Sequence, residues 1–201
     1  MNVYKKMGYA PVQTAKGGIF IDLGGKNEEN AILLTAHMDT LGAMVHTVKS
    51  NGRLKLTPLG GLNPNNTEGE NCRIYTRSGR IYDGTFQLID ASIHVNGEYN
   101  DTKRSFDTME VVLDEDVYNK EGVELGIRTG DIVCFDPRTR ITDSGYIKSR
   151  FLDDKLSVAI LMGYANYLQE QDIVPERRIY QHISVFEEVG PRLLLPAGTC
   201  Q

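Results

Sequence analysis

The strongest constraint on this chain is one run, AILLTAHMD over residues 31–39, in which apolar residues follow one another without alternation and then stop at polar ones. A half-buried strand alternates with period two. A nearly continuous apolar run of this length therefore reads as a strand buried on both faces, as in a parallel sheet covered by helices. Open sheets of that kind bind their ligands at the C-terminal ends of the strands. His37, Met38 and Asp39 stand at that end. Just upstream, GIFIDLGG reads as a shorter strand closed by glycines, and KNEEN as the polar turn between the two strands.

From residue 45 to 144 the character changes. Short β-prone pieces (RLKLTPLGG, CRIYTRSGRIYDGTF, ASIHVN, MEVVLD, DIVCFDP) are separated by turn signals, and the Ser-Gly inside the second marks a hairpin. No helical period of useful length appears before Asp153. The stretch reads as an all-β barrel inserted into an α/β domain made of residues 1–44 and 145–201. After it, DKLSVAILMGYANYLQEQ places Val158, Leu161, Met162, Ala165 and Leu168 on one helical face. RRIYQHISVF follows as a strand, with Glu187 and Glu188 at its end. The expected fold is thus a partial α/β sheet-and-helix domain interrupted by a β barrel.

Three clusters at element boundaries are able to carry chemistry. His37 and Asp39 point to the same side of a strand, so Asp39 can accept the ring N–H and leave the other nitrogen for a metal. Taken alone, a purely structural His–Asp hydrogen bond is the commoner reading of such a pair. Asp153 and Asp154 precede a helix, where one can turn inward while the other caps it; a plain N-cap is the bland alternative. Glu187 and Glu188 precede a Val-Gly turn that can aim both into one cleft, one as a metal ligand and one as a general base, or leave both in solvent. Nitrogen and oxygen donors without thiolates suit zinc, cobalt or manganese.

Composition narrows the class. A net charge of −5 gives no reason to expect nucleic acid or an anionic membrane as partner, and no apolar run approaches the roughly 20 residues a bilayer requires. The N-terminal stretch has no signal-peptide core, and the three cysteines (Cys72, Cys134, Cys200) are odd in number and far apart, as in a reducing cytoplasm. A glycosidase reading of the paired glutamates leaves the His-x-Asp and Asp-Asp-Lys without a role.

In AHMDTLGAMV, GIRTGDIVCFDP, KSRFLDDKLSVAIL and VFEEVG the chain resembles the glutamyl aminopeptidase family, which includes the tetrahedral dodecameric aminopeptidases. The resemblance implies two divalent ions, zinc or cobalt, with His37 and Glu188 as terminal ligands and Asp153 as the bridge. It implies Asp39 as the residue orienting His37 and Glu187 as the general base that activates water. The β insert would be a dimerisation domain, and peptides the substrates. The long β-rich interval between His37 and Asp153 separates this family from carboxypeptidase and deacylase relatives.

The sequence also departs from that pattern. The helix that opens the family's fold is reduced to what reads as its tail, MNVYKKMGYAP. Two later ligands, an Asp and a His, are expected beyond the Glu-Glu, whereas this chain ends eleven residues after Gly190. PRLLLPAGTCQ does not read like the small-residue continuation of the family, and a shift of reading frame or a cut in the coding sequence near residue 190 is expected. Of the other histidines, His46, His94 and His182, none sits in a matching motif; His182 reads as a sheet residue rather than a substitute ligand. The expectation is a peptidase fragment with little activity by itself, the alternative a remnant that only self-associates through its barrel.

Overall fold

The computed structural model describes residues 1–117 and 125–190. The expected tail at 191–201 lies outside the described residues. Two compact units divide at Thr40/Leu41 and Arg150/Phe151.

The first unit is a mixed sheet with one long helix. Its strands are β1 (Val12–Gln13), β2 (Ile19–Asp22), β3 (Asn27–His37) and, late in the chain, β12 (Arg177–Ser184). They lie in the order β1-β2-β12-β3, with β12 parallel to β3 and antiparallel to β2. The short helix α1 (Asn2–Lys6) precedes them, and α2 (Leu152–Glu170) connects the second unit back to β12. Alternation along β12 sends Ile179, Gln181 and Ile183 to one face and Tyr180, His182 and Ser184 to the other. The first face packs with Ile21, Leu23, Ala36 and Tyr4 against Val158, Ala165 and Leu168 of α2. Leu161 and Met162 flank them, so the expected helical face is the buried one.

Gln181 is fully buried inside this apolar layer, yet satisfied. It accepts from the Tyr4 hydroxyl at 2.7 Å and donates to the Leu161 carbonyl at 2.9 Å. Burial pushes the Tyr4 phenol up to about 12. The turn from β2 to β3 passes so close to β12 that a Cβ at Gly25 would fall on the Arg178 backbone. Only glycine fits there.

Three local expectations change. KNEEN is no turn: the turn ends at Lys26, and residues 27–30 already belong to the exposed start of β3, bulged at Asn30 with φ 55°. The apolar run 31–37 is only half-buried over Ile32, Leu33 and Leu34, because β3 is the edge strand of the described sheet. ASIHVN forms turns rather than a strand; Ile93 and Val95 are exposed and have no partner strand to pack against.

The second unit closes as a six-stranded barrel. Strands β4 (Gly42–Val48), β5 (Leu54–Leu59), β6 (Glu70–Tyr75), β7 (Ile81–Leu88), β8 (Met109–Leu113) and β9 (Ile132–Phe135) pair in the order β4-β5-β8-β7-β6-β9. Closure leaves no free edge, because β9 pairs with both β6 and β4. Alternate residues, among them Leu54, Leu56, Ile74, Phe86, Val111 and Val133, fill the interior. Glu110 on β8 is buried as well, held by Lys49 at 2.6 Å and Arg53 at 2.5 Å. A small hairpin, β10 (Arg140–Ile141) and β11 (Ile147–Lys148), follows the barrel. No described helix is long and apolar enough to cross a membrane.

Candidate active site

The parallel pair β3 and β12 ends in register, with His37 opposite Ser184 and the Met38 N–H donating to the Ser184 carbonyl at 2.9 Å. Past that point both strands break. Asp39 follows β3, and a turn carrying Glu187 and Glu188 follows β12. Glu188 N–H donates to the Asp39 carboxylate at 3.0 Å, tying the glutamate turn to the end of β3. Asp39 thus positions the glutamates as well as the histidine.

From the other side comes the start of α2. Phe151 has a left-handed backbone (φ 58°), and Asp153 and Asp154 keep non-helical φ/ψ, so regular helix begins after the pair. Neither residue plays the expected cap. Asp154 instead accepts from the His37 backbone N–H at 3.3 Å, and Asp153 places a carboxylate oxygen 3.1 Å from His37 Nε2.

The tautomer of His37 follows from its partners. Nδ1 lies 3.0 Å from the Asp39 carbonyl oxygen, which can only accept, so Nδ1 carries the proton. The Asp39 carboxylate is farther, at 3.6 Å; the residue expected to fix the tautomer does so through its backbone. Nε2 then offers a lone pair toward Asp153 at 3.1 Å and Glu187 at 3.9 Å. A lone pair facing carboxylate oxygens is repulsive unless a proton or a metal ion lies between them. Burial opposes protonation of His37, but the bonds to Asp39 and Asp153 and the charges of Asp39 and Glu187 outweigh it and raise its pKa.

The acids press on one another as well. Burial raises the Glu188 carboxyl, and Glu187, Asp153 and Asp39 raise it further against the pull of His37. One Asp39 carboxylate oxygen is buried with no hydrogen-bond partner. The donor atoms of His37, Asp153 and Asp154 lie within 4.8 Å of one another, a nitrogen-and-oxygen set that fits a divalent ion. Glu188 stands outside this trio.

The cleft holds about 370 Å³, lined by His37, Asp153, Asp154, His182, Ser184 and Glu187 with Thr35 and Ala36. His182 is a sheet residue, as expected, and also part of this wall. It sits two residues before Ser184 and so shares the His37 face of the sheet. Its Nδ1 is buried without a partner, and burial lowers its pKa. The same two-residue spacing that flagged His37 and Asp39 could have flagged it, had the strand register been known. Asp154 was hidden because a helix-start aspartate is normally a cap.

Residues 17–193 match the M42 glutamyl aminopeptidase family. The Bacillus subtilis (strain 168) protein YhfE, which bears an aminopeptidase name, is 46% identical over 180 residues, 89% of this chain and 52% of that protein. Among solved structures, aminopeptidase APDkam598 from Desulfurococcus kamchatkensis superposes with a TM-score of 0.80 at 25% identity, covering 94% of this chain and 49% of that one. The Pyrococcus horikoshii TET1 peptidase, which can assemble into a tetrahedron or a large octahedral shell, shares the fold with a TM-score of 0.73 at 23% identity, over 90% of this chain and 52% of that one. The chain spans about half the length of these proteins. On that family match, which spans most of its length, this chain belongs to the M42 glutamyl aminopeptidase family.

Proposed function

We propose that the cleft is the metal-dependent catalytic centre of an aminopeptidase that releases N-terminal residues from peptides, the activity residing in the whole protein. One observation carries the reading: His37 Nε2, its proton placed on Nδ1 by the Asp39 carbonyl, faces the Asp153 carboxylate at 3.1 Å. A divalent ion resolves that contact, and His37, Asp153 and Asp154 fit one. Glu188, whose carboxyl is crowded by three other acids, would hold a second ion together with Asp153. When bound, the ions supply Lewis acidity toward the scissile carbonyl; zinc and cobalt both suit these donors.

The chain's own residues do the rest. Asp39 holds the His37 tautomer and anchors the glutamate turn. Glu187 takes the proton of the attacking water on its carboxylate and returns it to the leaving amine. In the whole protein, Glu187→Gln should lower turnover of peptides with free N-termini by about two to four orders of magnitude and leave metal content intact. Loss of metal with that change would make Glu187 a ligand instead.

A second reading concerns the barrel. Met44, Ile132, Tyr75 and Ile81 are direct cross-strand neighbours on four adjacent strands, so they form one row on one face. Tyr75, Ile81 and Ile132 are exposed. This row supports a role for the barrel in self-association, as a dimer from which a dodecamer can build. Tyr75→Glu with Ile81→Lys should convert a dimer to monomer in size-exclusion chromatography; an unchanged elution volume would place the interface elsewhere.

A further inference from the structure

The barrel unit has a cavity whose lining shares no residue with that of the carboxylate cleft. It holds about 380 Å³ and is lined by Pro137, Arg138, Arg140, Lys148, Ser149 and Arg150. Four of these six are cationic, in a chain whose net charge is −5.

Three features set this cluster apart from a solvated basic face. The β10–β11 pairing puts Arg140 directly opposite Lys148, an arrangement that like charges disfavour. Among the described residues neither has an ion-pair partner. Second, one carboxylate, Glu70, answers two guanidiniums, Arg138 at 2.7 Å and Arg150 at 3.1 Å. The cavity is therefore left with three positive charges in excess. Third, Arg150 is pinned through its terminal nitrogen to the Asn66 carbonyl as well, while its Nε–H is buried with no acceptor. A buried donor without a partner is costly, and the guanidinium is held at that cost by Glu70 and the Asn66 carbonyl, which fixes its place in the cavity wall.

We propose that this cavity binds a dianionic oxyanion, inorganic phosphate or a phosphate monoester. Guanidinium forks recognise paired oxygens, and the Lys148 ammonium adds a point charge from the opposite strand. A tetrahedral dianion meets converging cations better than a single planar carboxylate, which offers one charge in one plane. The inference does not depend on the peptidase reading.

The test is calorimetric titration of the metal-stripped chain with inorganic phosphate, with glycerol phosphate and with acetate, at ionic strength held constant by potassium chloride. Saturable binding of phosphate at one site is expected, stronger than binding of acetate. Arg140→Ala with Lys148→Ala should weaken phosphate binding about tenfold or more. In phosphate-free buffer that double variant should melt no lower than the parent, since it removes a repulsion. Phosphate should then raise the melting temperature of the parent alone. Tighter binding of glycerol phosphate would identify a monoester as the ligand; equal or weaker binding would identify the free ion. Phosphate behaving like chloride, or binding the double variant as well as the parent, would overturn the proposal. So would loss of phosphate binding in His37→Ala, which would assign the anion to the carboxylate cleft.

Discussion

The two units treat their acidic side chains in opposite ways. In the barrel, Glu110 is buried but answered by two full cations, Lys49 and Arg53, at 2.6 and 2.5 Å. In the sheet unit, Asp39 and Asp153 converge instead on one imidazole, and one Asp39 oxygen is buried without a partner. The barrel acid is neutralised by its own chain and so is structural. The cleft acids gather instead around one imidazole, with Asp153 at 3.1 Å and the Asp39 carboxylate at 3.6 Å, a donor set that fits a divalent cation. Burial of charge alone does not mark function; acids gathered on one imidazole do.

The comparison breaks most severely at Glu187. Its replacement by Gln in the whole protein should lower turnover by about two to four orders of magnitude, the usual worth of a positioned base, without unfolding the chain. In the barrel the matching change, Glu110→Ala, should cost stability and nothing else. Removing one partner of a buried ion pair costs about 3–5 kcal/mol; the lower end is expected here because the two cations are partly exposed and can turn to water. Denaturant unfolding would measure it, and a loss under about 1 kcal/mol would make the pair a surface one. Tyr4→Phe should cost less, about 1 kcal/mol, by taking one hydrogen bond from the buried Gln181.

The smallest expected effect is in pH. Burial holds the folded-state pKa of His182 below its usual value, so the unfolded chain takes up the proton first. Its contribution is present above about pH 6.5 and lost as pH falls toward the folded pKa. His182→Leu should flatten the decline of stability on the acid side relative to the parent. An unchanged slope would show that His182 stays neutral, or stays charged, in both states.

What was legible in the sequence follows the same division. The barrel strands show because alternation is written locally: every second residue of β6, β7 and β9 goes inside. The face of α2 shows for the same reason. Within the site, the element ends were legible and the partners were not. His37 and Asp39 announce themselves by their spacing, but that the Asp39 carbonyl takes the ring proton, while its carboxylate takes Glu188 N–H, depends on backbone directions beyond β3. Asp154 looked like a cap because adjacency to a helix cannot reveal a bond to His37, 117 residues away in the chain. ASIHVN has strand-forming residues but no neighbour strand, and propensity without pairing makes turns. KNEEN failed the other way: polar residues at the exposed start of a strand read as a turn.

The central claim is that the cleft carboxylates and His37 hold a divalent ion. Equilibrium dialysis of the folded chain against zinc or cobalt, with His37→Ala as control, tests it most directly. At least one ion per chain is expected, lost in the control and released as pH falls through the raised pKa of His37, because the proton and the metal compete for Nε2. A folded chain that binds no ion, or binds it equally well without His37, would contradict the account and leave His37 and Asp153 as a protonated structural pair.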